Sequence, residues 1–414
     1  MPERRQRPAA HLAEKGQPKA EQHRFTRARG NLASGASRRG PAPALDARQT
    51  SIPAQNPPAR LLVHTVPGLE DVVAEEIAAR FPSAVLVGAW RQFDERTSVL
   101  EFRTSGDCCA WRSLDAAEDV FVLVARARGV QADRRGLSEL AAATLTSRLL
   151  DHGLRNFAAC WGQAPRTFRV VARKTGEHAY RRVDAQRAVE GALRTRLPHL
   201  QLVDDDADAE FWLTIIGATA LLGLRLSTAG MRDHSYPFTS LPAALKPSIA
   251  RAMAQLSQPL PTDRVLDPLC GAGTLLLERA AVGPWEALAG GDRDPEALNT
   301  ARANAASAGL SIDLEQWDAL DLPMPDRSVD VVLTNPPFGK RLEIPGHEAY
   351  PFYRRLLKEA GRVLVPDGRL VLITSQTEAM QRALHGMATV FLLQREVRVL
   401  VRGERATVYV AQRR

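Results

Sequence analysis

At 414 residues the chain has room for two or three domains, each with a core of its own. Its 45% apolar and 25% charged residues are those of a globular chain, and with no run of 18 apolar residues no membrane-spanning helix is expected. The net charge of +8 is concentrated in residues 1–60, which carry 12 Lys/Arg against 4 Asp/Glu, while the rest holds 43 of each sign.

Residues 1–59, rich in Arg, Pro, Ala, Gly and Ser without apolar periodicity, predict a disordered basic tail. The stretch lacks the apolar region of a secretory signal, and its prolines and glycines would interrupt the helix of a transit peptide. A cytoplasmic protein is therefore expected. A tail attracted to RNA and a functionless extension both fit that composition.

Order begins at Arg60. A strand over 61–66, a Pro67-Gly68 turn, a helix over 69–80 with Leu69, Val72, Val73 and Ile77 on one face, and strands over 85–90 and 98–102 make a small α+β unit spanning 60–105. A second unit over 106–230 has a strand at 120–127, a helix from 138 to about 151, a strand at 167–172, a helix at 183–196 and a hairpin of 211–216 with 220–226 around Gly217. These spacings predict two compact α+β modules. Residues 126–196 hold 15 Lys/Arg against 6 Asp/Glu, a pattern that fits either a phosphate-binding face or a solvated helix surface. Four cysteines, Cys108, Cys109, Cys160 and Cys270, lack C-x-x-C spacing. That scatter predicts a reducing compartment and no metal site, with Cys108 and Cys109 as small buried side chains.

After a linker at 231–245 the pattern changes. Helix 247–256, strand 264–267, helix 274–281, strand 287–292, helix 295–308, strand 311–316, strand 329–333, helix 349–364, strand 369–374 and a terminal pair near 397–401 and 406–411 alternate regularly. This alternation over 246–414 predicts an α/β doubly wound, mostly parallel sheet with ligands at its carboxyl edge.

Two motifs fall at that edge. Asp267-Pro268-Leu269-Cys270-Gly271-Ala272-Gly273-Thr274 occupies the first strand-to-helix turn, where glycines let backbone approach a ligand and the helix N-terminus offers free N–H groups. A dinucleotide site would place a third glycine where Leu276 stands, and Asp267 would repel a pyrophosphate. Asp267 suits a cationic ligand instead, such as S-adenosylmethionine. Asp292, ending the second strand, is placed to accept from ribose hydroxyls, and Asp318, after the third, from an adenine amine. Asp294 reads as the N-cap of the helix from Pro295, and Asp321 as a solvated loop residue. The second motif, Thr334-Asn335-Pro336-Pro337-Phe338-Gly339-Lys340, follows the fourth strand. The Asn335 side-chain oxygen and the Pro336 carbonyl could accept both N–H bonds of a flat exocyclic amine, with Phe338 stacking on its base. As a short motif it reads equally well as a turn, and the ordered acids upstream favour the methyl-transfer reading.

The chain from 240 resembles class I methyltransferases that modify amino groups. The N-terminal half narrows this: Pro67-Gly68-Leu69-Glu70, Phe168-Arg169-Val170, Arg173-x-x-Gly176-x-His178 and Gly223-Leu224-Arg225-Leu226-Ser227 resemble a THUMP RNA-binding module preceded by a ferredoxin-like subdomain. Arg232-Asp233-His234-Ser235-Tyr236-Pro237 and Ala244-Leu245-Lys246-Pro247 are similar to the linker and entry helix of THUMP-containing guanine-N2 methyltransferases. The tRNA (guanine-6-N2) family is most similar, and the large-subunit rRNA guanine-N2 enzymes come next. The family often has Tyr where this chain has Phe338. The resemblance implies a monomeric, metal-free enzyme that uses S-adenosylmethionine bound by Asp267, Cys270, Gly271, Gly273, Asp292, Asp318 and Asn335. It implies Asn335, Pro336 and Phe338 as catalytic residues. The substrate would be tRNA, held through phosphate contacts by Arg173, Lys174, Arg181 and Arg182. The alternatives are rRNA guanine-N2 or adenine-N6 methylation, and a non-catalytic RNA-binding assembly factor.

Overall fold

A computed structural model describes residues 58–414 except 92–96, 234–235, 242–243 and 338–344. Nearly all of the expected disordered tail therefore lies outside the described residues, as does Phe338.

The first half is built on one sheet. Its elements in chain order are β1 (Ala59–Thr65), α1 (Glu70–Arg80), β2 (Val85–Trp90), β3 (Ser98–Thr104), a 3-10 turn (Cys109–Ser113), β4 (Asp119–Arg128), α2 (Arg135–Leu145), α3 (Leu150–Trp161), β5 (Thr167–Thr175), α4 (Arg182–Arg196), β6 (Gln201–Leu202), β7 (Ala209–Ile216) and β8 (Thr219–Arg225). The strand order is β2-β3-β1-β4-β8-β7-β5-β6, so the strands of the two expected modules form a single eight-stranded sheet. The reason is β1, which pairs antiparallel with β3 on one side and with β4 on the other. A cut near residue 105 would leave two long unpaired edges. Period-2 alternation sorts the strand residues between two clusters. Leu61, Val63, Val120, Val122 and Val124 share a core with Ile77 of α1, Leu140 of α2, Phe157 of α3 and Val189 of α4. Leu62, Phe121, Leu123 and Trp212 form a separate cluster.

The structure corrects two further expectations here. The single helix over 138–151 is two helices, divided at residues 146–149, where the Ser147 hydroxyl takes a backbone N–H out of the helical ladder. The Thr146 hydroxyl donates to the Ala142 carbonyl at 2.8 Å, and the Ser147 hydroxyl accepts from the Leu149 N–H at 3.2 Å. Cys109 is not an isolated buried thiol, since it forms a disulfide with Cys160 that fastens the 3-10 turn to the end of α3. Only the fold brings these two residues, 51 apart in sequence, to a Cα separation of 5.1 Å. The expectation of a fully reduced cysteine set therefore fails. Cys108 and Cys270 are free and buried.

The second half comprises α5 (Pro247–Leu256), β9 (Arg264–Asp267), α6 (Thr274–Val282), β10 (Ala287–Asp292), α7 (Pro295–Ser307), β11 (Asp313–Gln316), β12 (Val329–Thr334), α8 (Gly346–Val363), β13 (Leu364–Thr374), α9 (Thr377–Gly386), β14 (Phe391–Val401) and β15 (Glu404–Arg413). Their sheet runs β11-β10-β9-β12-β13-β15-β14, parallel through β13 and antiparallel beyond. Helices cover both faces. Ile249, Leu276 and Leu298 pack with Val265 and Val331 on one side, while Tyr353, Leu357 and Met380 pack with Leu266 and Val332 on the other. This is a doubly wound sheet, and its strand order reverses between β9 and β12, which opens a crevice at their carboxyl ends. The third strand starts two residues later than expected, at Asp313. Helix α9 went unanticipated, although Met380, Ala383 and Leu384 give it a buried stripe at helical spacing.

The two sheets meet at several points. Gly68 (φ +98°) lies so close to β14 that a Cβ there would fall 1.7 Å from the Arg398 carbonyl oxygen. The Leu400 N–H donates to the Pro67 carbonyl at 3.1 Å, and Arg395 pairs with Glu75 at 2.7 Å.

Candidate active site

Strand β9 ends at Asp267 and α6 begins at Thr274, so residues 268–273 form the turn at the switch point. Gly271 (φ +51°) and Gly273 (φ +84°) adopt left-handed backbone that side chains disfavour. The Gly271 N–H donates to one Asp292 oxygen at 3.0 Å, and the Asp294 N–H donates to the other at 3.0 Å. The Cys270 N–H donates to the Gly291 carbonyl at 2.9 Å, and the Trp317 N–H to the Asp292 carbonyl at 3.3 Å. These bonds draw the ends of β9, β10 and β11 into one crevice. Asp318 accepts from the Leu320 N–H at 3.0 Å and from Arg293 at 2.9 Å. Each of these carboxylate oxygens keeps a further lone pair for a ligand hydroxyl or amine. Asp294 caps α7 as expected, accepting from the Glu296 N–H at 2.9 Å.

Asp267 is buried, and burial pushes its carboxyl up to about 7, with the charge of Asp292 adding to the rise against the opposing hydrogen bond from Leu269. A cation beside it would reverse that shift. Cys270 is also buried, which raises its thiol well above the ordinary range, with Asp267 and Asp292 adding to the effect. It is therefore a packing side chain and a poor nucleophile.

Beyond β12 the side-chain oxygen of Asn335 is buried without a hydrogen-bond partner among the described residues. An unmet buried acceptor costs about 1–3 kcal/mol, and an incoming N–H donor relieves that cost. Pro336 is buried beside it, and neither Pro336 nor Pro337 carries an N–H that could occupy the acceptor. At the end of the neighbouring strand β13, the Thr374 hydroxyl lies 2.6 Å from that of Tyr353 on α8. A carboxylate suited to a cation, acceptors suited to ribose and adenine, and an unmet amide oxygen beside them fit an S-adenosyl cofactor and an amine substrate.

The four basic residues expected to meet RNA are not brought to one place. Arg173 and Lys174 are consecutive on β5 and so point to opposite faces. Arg173 donates to the Thr97 hydroxyl at 2.6 Å and lies 4.6 Å from the Trp212 ring centre. On the other face Lys174 lies 6.0 Å from the Tyr180 ring. Arg181 pairs with Asp184 at 3.1 Å at the start of α4, and Arg182 reaches back to the Ala172 carbonyl at 3.3 Å.

Three site residues escaped the sequence reading. The Trp317 indole donates to the Pro268 carbonyl at 3.1 Å and lies against Gly291, where a Cβ would sit 2.1 Å from the ring. The paired Gly290-Gly291 before Asp292 was the available signal for it. Asn304 of α7 also reaches the glycine loop, and it binds Thr239 of the linker, through contacts that no local pattern announces.

Residues 235–402 match the family described as UPF0020, an RMKL-like methyltransferase domain. The tRNA (guanine(6)-N2)-methyltransferase of Thermus thermophilus is 31% identical over 324 residues, which are 77% of this chain and 90% of that protein. The human tRNA (guanine(6)-N(2))-methyltransferase THUMP3 is 33% identical over 258 residues, 59% of this chain. The chain spans only about half the length of that human relative, 50%. The crystal structure of TrmN from Thermus thermophilus superposes with a TM-score of 0.69 at 28% identity, covering 86% of this chain and 100% of that one.

Proposed function

This chain belongs to the THUMP-domain-containing class I RNA guanine-N2 methyltransferases, and we propose that it methylates the exocyclic N2 of a guanine in tRNA, at position 6, the number that the names of its relatives carry, and that this position lies in the acceptor stem. The observation that carries this reading is the buried Asn335 oxygen at the end of β12, which has no hydrogen-bond partner among the described residues.

The amine of guanine is a poor nucleophile because its lone pair is delocalised into the ring. Asn335 and the Pro336 carbonyl accept its two N–H bonds, which draws the nitrogen toward tetrahedral geometry and frees the lone pair. The prolines hold both acceptors in place before the base arrives, so little reorganisation is left for the reaction. S-adenosylmethionine, when bound, supplies an electrophilic methyl group on a sulfonium. Asp267, Gly271, Gly273, Asp292 and Asp318 would hold it, with Cys270 packing beneath the loop. Phe338 stacks on the base, which leaves its helix at a cost of a few kcal/mol. Lys174, Arg181 and Arg182 position RNA through phosphates without reading sequence, and Arg173, on the opposite face of β5 beside Trp212, is left out of that role. The enzyme acts as a monomer and needs no metal.

Stripped tRNA and ribosomal subunits, offered separately with S-adenosylmethionine, test the substrate. N2-methylguanosine in tRNA alone supports the proposal. Methylation of ribosomal RNA alone, or N6-methyladenosine as the product, contradicts it.

A further inference from the structure

Asn304 lies in the last turns of α7, and although Asn has poor helix propensity it is only 2% exposed there. Its side chain is fully committed. Its oxygen accepts from the Thr239 N–H at 2.8 Å, and its two amide hydrogens go to the Thr239 carbonyl at 3.0 Å and the Ala272 carbonyl at 3.0 Å. One buried amide thus pairs both backbone groups of a linker residue while gripping the centre of the glycine loop. Ala272 stands between Gly271 and Gly273, the two residues with the widest backbone freedom, so the loop needs an outside partner to hold one conformation.

The linker is anchored at both ends to the N-terminal sheet. Arg232 pairs with the buried Asp119 at the start of β4, and Lys246 pairs with Glu118 at 3.1 Å. Arg251 of α5 holds the Met231 and Asp233 carbonyls at 3.1 and 2.9 Å while paired with Glu278 at 2.6 Å. Between these anchors Thr239 is solvent-exposed and belongs to neither core.

We infer that Asn304 is a positioning residue that straps the interdomain linker to the glycine loop, so that cofactor affinity depends on the linker. The inference rests on the S-adenosylmethionine reading above. Because Asn335 sits at the end of a different strand, loss of the strap changes cofactor binding and leaves the chemistry intact. A role in packing alone would lower thermal stability and turnover without separating KM from kcat.

The test uses the full chain and S-adenosylhomocysteine, titrated by calorimetry without RNA, alongside KM for S-adenosylmethionine, kcat and melting temperature. Asn304→Ala removes the strap from the helix side. Thr239→Pro removes the linker N–H from an exposed position, so it remains informative if Asn304→Ala does not fold. Both are expected to raise the dissociation constant and KM roughly fivefold or more, as for a lost buried hydrogen bond, with kcat at saturation within about threefold. Wild-type affinity in folded Asn304→Ala, or in Thr239→Pro, overturns the inference. Failure of the wild type to bind S-adenosylhomocysteine at all would instead overturn the methyltransferase reading.

Discussion

Replacing Asn335 with Ala deletes the unmet acceptor without touching the glycine loop or the acids that bond to it. Turnover should fall by roughly a hundredfold or more, as when one preorganised acceptor or donor is lost, while cofactor affinity stays within a few-fold. Steady-state kinetics alongside calorimetry check both halves of that statement. Asp267 gives a pH signature. Its folded value of about 7 lies above the ordinary 3.8, so the native protein keeps this proton where the unfolded chain has lost it. The contribution of Asp267 to stability therefore declines as pH rises between those two values and is level above them. A cationic cofactor needs the carboxylate form, so affinity for S-adenosylmethionine should rise from about pH 6 to about pH 8, and Asp267→Asn should flatten that rise. Equal slopes in the two proteins would remove Asp267 from the cation site. At this scale the places of Asp267, Gly271, Asp292 and Asn335 were readable because each stands at a strand end or in the turn that follows one, and strand ends can be located from alternation alone. Trp317 and Asn304 were not, because their roles arise from partners dozens of residues away.

Among the elements, the catalytic sheet was the more legible half. Pro247–Leu256, Arg264–Asp267 and Ala287–Asp292 fall where the sequence pattern puts them, each bounded by Pro, Gly or Asp. The break between α2 and α3 was missed because a hydroxyl side chain, not Gly or Pro, marks it. The Cys109–Cys160 bond was missed because pairing follows from the fold and not from spacing. In the chain-entropy account, closing a loop with a sequence separation of 51 stabilises by up to about 4 kcal/mol. Cys109→Ser should therefore lower the melting temperature in non-reducing buffer and have no effect once the wild type is reduced. Peptide mapping without reductant should recover Cys109 joined to Cys160. An identical melting temperature in both buffers would show that the bond contributes nothing.

At the scale of the whole molecule, the division into two halves followed from the change in pattern near residue 242, but the continuity of the first sheet did not. Strand order depends on long-range pairing, and nothing local to β1 says that it sits between β3 and β4. The charge distribution adds a prediction here. Residues 1–60 carry the net charge of the chain, so deleting 1–59 should reduce the salt dependence of RNA binding and leave the methylated position unchanged. A shifted position would give the tail a part in specificity.

The central claim is methyl transfer to guanine N2 of tRNA at Asn335. Purified wild type and Asn335→Ala, each incubated with radiolabelled S-adenosylmethionine and unmodified bulk tRNA, followed by digestion to nucleosides and mass spectrometry, test it most directly. N2-methylguanosine from the wild type, with a rate at least about a hundredfold lower in the variant, is the expected result. No labelled N2-methylguanosine, or equal rates from the two proteins, would contradict it.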